Sequence, residues 1–198
     1  MALLQTVQLE HLPQSHSIHI ALYRNLQNAA FLQQQLLEGN TDYEYALIDA
    51  SVIVSKIHAL AAVYRAVNDL LANRLRSRNV HSEIVFSLSP NNNISESFRR
   101  FGIQPTTTSL LLIKVSTPTS ETSPSDLSSR LSTQIQGDAV PFTDEEIGTM
   151  TDLGRVRKIY KLNVPGGGGK KKDGNTAEER REMEMLILGA MALRGATN

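Results

Sequence analysis

Five histidines and one glycine-rich run are the places where this 198-residue sequence could do chemistry. The histidines are His11, His16, His19, His58 and His81. His16 and His19 stand three apart on a segment that reads as a strand, so they point to opposite faces and cannot share a metal. No HExxH pair and no Gly-x-Ser-x-Gly elbow is present, and spacing alone singles out no Ser/His/Asp arrangement. Asp and Glu show no paired pattern suited to acid–base work. The run Gly166–Lys172 invites a phosphate-loop reading, which requires Gly, four residues, then Gly-Lys followed by Ser or Thr. With Gly169-Lys170 as the pair, the first glycine falls on Val164 and the hydroxyl on Lys171. The motif fails twice, and the run reads as a flexible linker. The absence of cysteine removes disulfides, thiol catalysis and Cys-based metal sites. No cofactor, metal or catalytic residue is expected, and the chain reads as no enzyme.

The charge pattern narrows the remaining classes. Residues 1–103 hold eight Lys/Arg and eight Asp/Glu, residues 104–153 two against seven, and residues 154–198 ten against five. The sum is zero, so the average field gives no strong pull toward nucleic acid. Two readings follow: the acidic and basic segments lie near each other, or the basic end touches a phosphate backbone. Aromatics make up 5% of the chain and no ribonucleoprotein motif occurs, so no stand-alone stacking platform is visible. Met1-Ala-Leu-Leu-Gln has no basic region ahead of a long apolar run, which argues against a signal peptide. No apolar run reaches the ~18 residues that span a bilayer, so no membrane partner is expected.

The elements that would position any site follow from periodicity. Residues 4–10 and 17–24 alternate as half-buried strands around a turn at 13–16. Asn25 to about Glu38 reads as a helix stopped by Gly39-Asn40, and 43–48 as a short strand or the start of the next helix. The longest helix runs from about Val54 to Arg76, with Ile57, Leu60, Ala61, Tyr64, Val67, Leu71 and Leu75 as its apolar stripe. His58, Arg65 and Asp69 share another face, read as solvated surface. Arg74, Arg76 and Arg78 suit the negative end of the helix dipole. Residues 80–88 alternate as a strand, 94–101 form a short amphipathic helix ended by Gly102, and 109–115 form a strand covered on both faces. In 116–134, Ser, Thr and Pro fill 13 of 19 positions. This reads as a surface loop or insertion, with Ser123-Pro124 either a phosphorylation site or simply loop. Thr143–Glu146 is a capping box opening a helix or a pair of turns through Ile147, Met150 and Leu153, and 156–162 alternates as a strand. A Gly/Lys-rich linker over 164–175 leads to a second capping box, Thr176 to Glu179, and a helix to about Arg194. Its second half is apolar nearly all round, so it plugs the core or presents a face to a partner. The fold class is mixed α/β (α+β): one domain over 1–198, a mostly antiparallel sheet flanked by helices, with an apolar C-terminal helix.

Three segments together carry a resemblance. They are Ile57-His-Ala-Leu-Ala-Ala-Val-Tyr-Arg-Ala66, Phe86-Ser-Leu-Ser-Pro-Asn-Asn-Asn-Ile-Ser-Glu-Ser-Phe-Arg-Arg-Phe-Gly-Ile103, and Leu186-Ile-Leu-Gly-Ala-Met-Ala-Leu-Arg-Gly195. The chain resembles the PRPK-binding protein family, the small kinase-binding subunit of the EKC/KEOPS complex, in its fungal form. The likeness covers most of the chain except 116–134 and 164–175, which look like insertions. It implies a non-catalytic subunit that binds the N-terminal lobe of a small atypical kinase. It also implies help in holding tRNA, including its acceptor end, for formation of N6-threonylcarbamoyladenosine at position thirty-seven of tRNAs that read codons starting with A. Links to telomere maintenance and transcription, and residence in nucleus and cytoplasm, come with it. The rival readings are a stand-alone nucleic-acid-binding domain and an enzyme with an unrecognised site.

On the short helix, Ile94, Phe98 and Phe101 stand at i, i+4 and i+7, one face. They form either an apolar anchor for the kinase or a cap on the domain's own core. For tRNA phosphates the candidates are Arg65, Arg155, Arg157, Lys158, Lys161 and Arg194.

Overall fold

A computed structural model describes residues 3–162 and 177–194; the linker over 164–175 and Thr176 lie outside the described residues. Strand β2 (Ser17–Arg24) is the centre of the sheet. Along one edge it pairs antiparallel with β4 (Leu110–Ser116), from Ser17↔Ser116 to Tyr23↔Leu110. That leaves its other edge to β1 (Gln5–Val7), opposite Ile18–Ile20, and β5 (Asp138–Val140), opposite Leu22–Arg24. Strand β3 (Ala46–Asp49) pairs antiparallel with the far side of β4. The result is a five-stranded antiparallel sheet, as the sequence implies.

Every residue of β4 is buried, because helices cover both faces. Ile18, Ile20, Leu22, Ile48, Leu111, Ile113 and Val115 face the larger core. It is closed by α2 (Lys56–Leu71), α3 (Val80–Ser87), α4 (Ile94–Phe101), α6 (Asp144–Met150), α7 (Leu153–Tyr160) and α8 (Ala177–Ala192). Ala21, Tyr23, Leu47, Leu110 and Leu112 face a smaller core under α1 (Ala29–Glu38) and α5 (Pro124–Gln134). The period of two along a strand thus divides one apolar run between two cores.

Several elements differ from the periodicity reading, each for a physical reason. Residues 80–87 are helix α3, not a strand: the Asn79 side chain accepts from the Ser82 N–H, and nearly the whole helix is buried. A helix covered all round carries no amphipathic stripe to distinguish it from an alternating run. Residues 153–160 are helix α7, with Asp152 accepting from the Arg155 N–H, Lys161 in the left-handed conformation at its end (φ 53°), and Val156, Ile159 and Tyr160 buried. The second half of the Ser/Thr/Pro-rich segment is helix α5, which buries Leu127 and Leu131, one turn apart. Helix α1 starts at Ala29, since Asn25 adopts a left-handed backbone (φ 54°).

Helix α2 is rotated relative to the expected stripe. Its buried positions are His58, Ala59, Ala62, Val63, Ala66 and Val67, whereas Ile57, Tyr64 and Leu71 are exposed. Small residues on the inner face let α2 approach its neighbours closely, and His58 turns inward rather than to solvent. The capping box of α6 forms as expected, Thr143 accepting from the Glu146 N–H. Helix α8 packs one face into the core and leaves apolar side chains on another face in water. Met183, Ile187 and Met191 enter the core, and Met185, Leu186 and Leu193 stay exposed.

Candidate partner and nucleic-acid surfaces

Helix α4 places its apolar residues at three depths. Phe101 is fully buried, 5.9 Å edge-on from the Tyr160 ring. Phe98 is half-buried, and Ile94 is 36% exposed. The helix is set by its cap, Asn93 accepting from the Glu96 N–H at 3.0 Å, and by the Ser97 hydroxyl donating to the Asn93 carbonyl at 2.7 Å. At its end Gly102 and Ile103 lie against the free edge of β3, the Ile103 N–H donating to the Leu47 carbonyl at 2.9 Å. Phe98 also lines a cavity of about 210 Å³ with Leu36, Leu37, Tyr43 and Arg78. Exposed Ile94, exposed Leu37 and half-buried Phe98 are the apolar surface on offer here, with Phe101 supporting it from below.

The six basic candidates separate into two places. On α7, Lys158 and the adjoining Lys161 are exposed and Arg157 is half-exposed. Arg155 is occupied within the fold. It reaches Asp49 at 2.6 Å and the Ser51 hydroxyl at 3.0 Å, and donates to the Arg100 carbonyl at 3.0 Å. It ties α7 to the turn after β3 and to the end of α4.

Arg65 and Arg194 meet instead at the far end of α2, in a cleft of about 520 Å³. Arg65 donates to the carbonyls of Met191 (2.6 Å) and Arg194 (3.3 Å), at and just past the end of α8. Arg194 is 6% exposed; its guanidinium lies over the Phe86 ring at 4.0 Å and donates to the Phe86 carbonyl. Burial, and then the neighbouring charge of Arg65, push the Arg194 guanidinium down to about 10. The same cleft holds Arg74, Arg76 and Tyr64, which the sequence reading did not single out as a site. In the sequence Arg74 and Arg76 stand in a cluster at the helix end, where the dipole accounts for them. Tyr64 falls on the stripe that hydropathy predicts to be core, yet it is 40% exposed.

Buried histidines serve the fold. The Tyr160 hydroxyl donates to the Leu88 carbonyl at 2.6 Å, so His58 Nε2 donates to that hydroxyl at 2.9 Å, and His58 Nδ1 accepts from the Val54 N–H at 3.3 Å. His81 Nε2 accepts from the Val115 N–H at 3.1 Å, joining α3 to β4. Burial lowers both rings to about 3, with the Lys114 ammonium adding to the effect at His81. His19 sits between the Thr6 hydroxyl (2.9 Å) and the Ser116 hydroxyl (3.1 Å), across β1, β2 and β4. Among the described residues there is no group of three His, Asp or Glu able to hold a metal, and no helix long and apolar enough to cross a membrane.

Comparison with known proteins gives this arrangement a family. A family model described as kinase binding protein CGI-121 matches residues 23–195. An Aspergillus fumigatus protein named EKC/KEOPS complex subunit cgi121 is 50% identical over 194 residues, 98% of each chain. A Coccidioides immitis protein of the same name is 50% identical over 208 aligned positions, covering 100% of both. A Schizosaccharomyces pombe protein of that name is 31% identical over 178 residues, 90% of this chain and 93% of the other. The match extends through α2, α3, α4 and α8, and so takes in both the α4 surface and the arginine cleft. The chain belongs to the CGI-121 family of kinase binding proteins.

Proposed function

We propose that this chain is a non-catalytic subunit of an EKC/KEOPS-type complex, binding the small atypical kinase of that complex and helping to hold tRNA for N6-threonylcarbamoyladenosine formation. The observation that carries the kinase reading is the α4 surface in a chain whose relatives are named as subunits of that complex. A short capped helix that keeps Ile94 in water, one turn from a half-buried Phe98 that lines a cavity with Leu37, is a compact apolar anchor of the kind partner lobes bury. The N-terminal lobe of the kinase is the partner we assign to it. The tRNA reading rests on the basic groups of α7 and of the cleft, which offer phosphates a salt-sensitive attraction. Residence in nucleus and cytoplasm, and links to telomere maintenance and transcription, follow from the same assignment.

The test is co-purification with the kinase of the same organism by size exclusion with light scattering. One-to-one co-elution supports the reading. Separate elution at tens of micromolar overturns it and favours a nucleic-acid-binding domain without the kinase. Turnover of ATP or tRNA by the purified chain alone overturns the non-catalytic part.

A further inference from the structure

Three of the seven prolines follow a serine or threonine: Ser89-Pro90, Thr117-Pro118 and Ser123-Pro124. The fold treats the three hydroxyls differently. Ser89 is fully buried, and its hydroxyl donates to the Asn91 side-chain carbonyl at 3.1 Å. Thr117 is half-buried and closed into a turn. Its N–H donates to the Ser120 carbonyl at 3.4 Å, and the Ser120 N–H returns to the Thr117 carbonyl at 3.0 Å. Its hydroxyl lies 3.1 Å from that of Thr119. Ser123 is exposed, on extended backbone (φ −64°, ψ 134°), and its hydroxyl meets that of the equally exposed Ser125 at 2.7 Å.

These differences decide which hydroxyl a protein kinase can reach. The acceptor oxygen must come in line with the γ-phosphate of ATP, beside the kinase's catalytic aspartate, so a buried or turn-locked hydroxyl is shut out. Proline after the acceptor brings no N–H. A kinase cleft with no acceptor at that place takes proline and leaves any other residue with an unsatisfied donor. Three positions after Ser123 stands Asp126 rather than Lys or Arg, so the kinase that fits reads proline without a following base. Helix α5, which Ser123 precedes, is fastened at one end. At its finish the Gln134 side chain accepts from the Tyr45 hydroxyl at 2.9 Å, and the Gln134 carbonyl accepts from the Asn28 side chain at 2.8 Å. At its start the Ser123 hydroxyl caps no N–H, and the Ser125 and Asp126 N–H groups lie in the first turn, where a helix supplies no acceptor.

We propose that Ser123 is the acceptor of a proline-directed protein kinase, and that its phosphate fastens the free end of α5. In the transfer a bond forms between Ser123 Oγ and the γ-phosphorus of ATP, and the bond from that phosphorus to the bridging oxygen breaks. ADP leaves with the electron pair, and the hydroxyl proton passes to the kinase's aspartate. The phosphate brings a charge of about −2 and three acceptor oxygens to the positive end of the helix dipole. Asp126 repels it across water, where exposed charges interact weakly, whereas charge-assisted hydrogen bonds to the two N–H groups are direct. The fastened helix lies over the smaller core, on the sheet face away from α2 and α8.

The experiment incubates the full chain with magnesium ATP and a purified mitogen-activated protein kinase, a class that reads proline without a base after it. Phosphate is mapped by mass spectrometry on wild type, Ser123→Ala and Thr117→Ala. Ser123 is exposed and touches no core residue, so its variant keeps the fold. Wild type and Thr117→Ala should each take a single phosphate, on Ser123, and Ser123→Ala should take none. In the phosphorylated chain, amide exchange along α5 should slow about two- to fivefold. Wild type that takes no phosphate overturns the site. Phosphate on Ser89, Thr117 or Ser125 in wild type overturns it too, since the fold would then not select the acceptor. Phosphate on Ser123 with α5 exchange unchanged or faster supports the acceptor and overturns the fastening of the helix.

Discussion

One helical face can serve two masters, and at the residue scale depth separates them. Ile94, Phe98 and Phe101 are equivalent in spacing, yet exposure falls from 36% at Ile94 to zero at Phe101. Ile94→Glu puts a carboxylate where water already reaches, so the thermal midpoint should stay within about 2 °C while kinase pull-down is lost. Phe101→Ala removes a ring packed against Tyr160 and should cost about 3–5 kcal/mol of stability. Thermal melts and pull-downs of both variants check the contrast. Unfolding of Ile94→Glu would show that residue to be core. Spacing specifies a face but not its depth, which depends on α7 and the sheet packed against it. The arginines divide in the same way. Arg155 looks like any basic surface residue in the sequence, and only the end of β3, distant in the chain, brings Asp49 to it. Arg65 and Arg194 are 129 positions apart, and no local pattern could join them.

At the scale of elements, α4 ends where the chain must press against a sheet edge. A Cβ at Gly102 would sit 2.7 Å from the Phe98 carbonyl oxygen, closer than side-chain carbons come to backbone. Gly102→Ala should therefore displace the end of α4 or loosen Ile103 from β3, costing roughly 1–3 kcal/mol. Urea denaturation checks this; an unchanged midpoint would show that α4 slides without cost. The helix and its terminal glycine are legible because α4 is amphipathic and its cap, Asn93, is local. Strands β2 and β4 are legible because alternation and continuous apolarity are signatures of one-strand length. Helices α3 and α7 are not legible from alternation alone. In both, the side chain that starts the helix, Asn79 or Asp152, is present in the sequence, and period-two reading gives it no weight. Helix α2 shows a further limit. Large apolar residues define the stripe that hydropathy detects, but close helix packing selects the alanine face, leaving Ile57, Tyr64 and Leu71 outside.

For the whole molecule, the two histidines that tie elements together set its response to acid. His58 joins α2 to α7, and His81 joins α3 to β4. In each ring the accepting nitrogen faces a backbone N–H, so a second ring proton has no acceptor and meets a donor. The folded rings stay neutral down to about 3, against 6.5 for the exposed ring. A group with a depressed folded value contributes its stability fully above the unfolded value and loses it as pH falls. The affected window runs from about 6.5 down to about 3. Within it each ring costs about 1.4 kcal/mol per pH unit, so at pH 5 the two together cost about 4 kcal/mol. For a domain whose total stability is of order 5–15 kcal/mol, this is a large share. The urea midpoint should be flat from pH 8 to 7 and fall steeply between pH 6.5 and 5. His81→Gln keeps an acceptor for the Val115 N–H without a titrating ring, and should remove about half of that fall. A midpoint equal at pH 7 and 5 would mean that both rings find a partner for the second proton, and that the elements they join separate for other reasons.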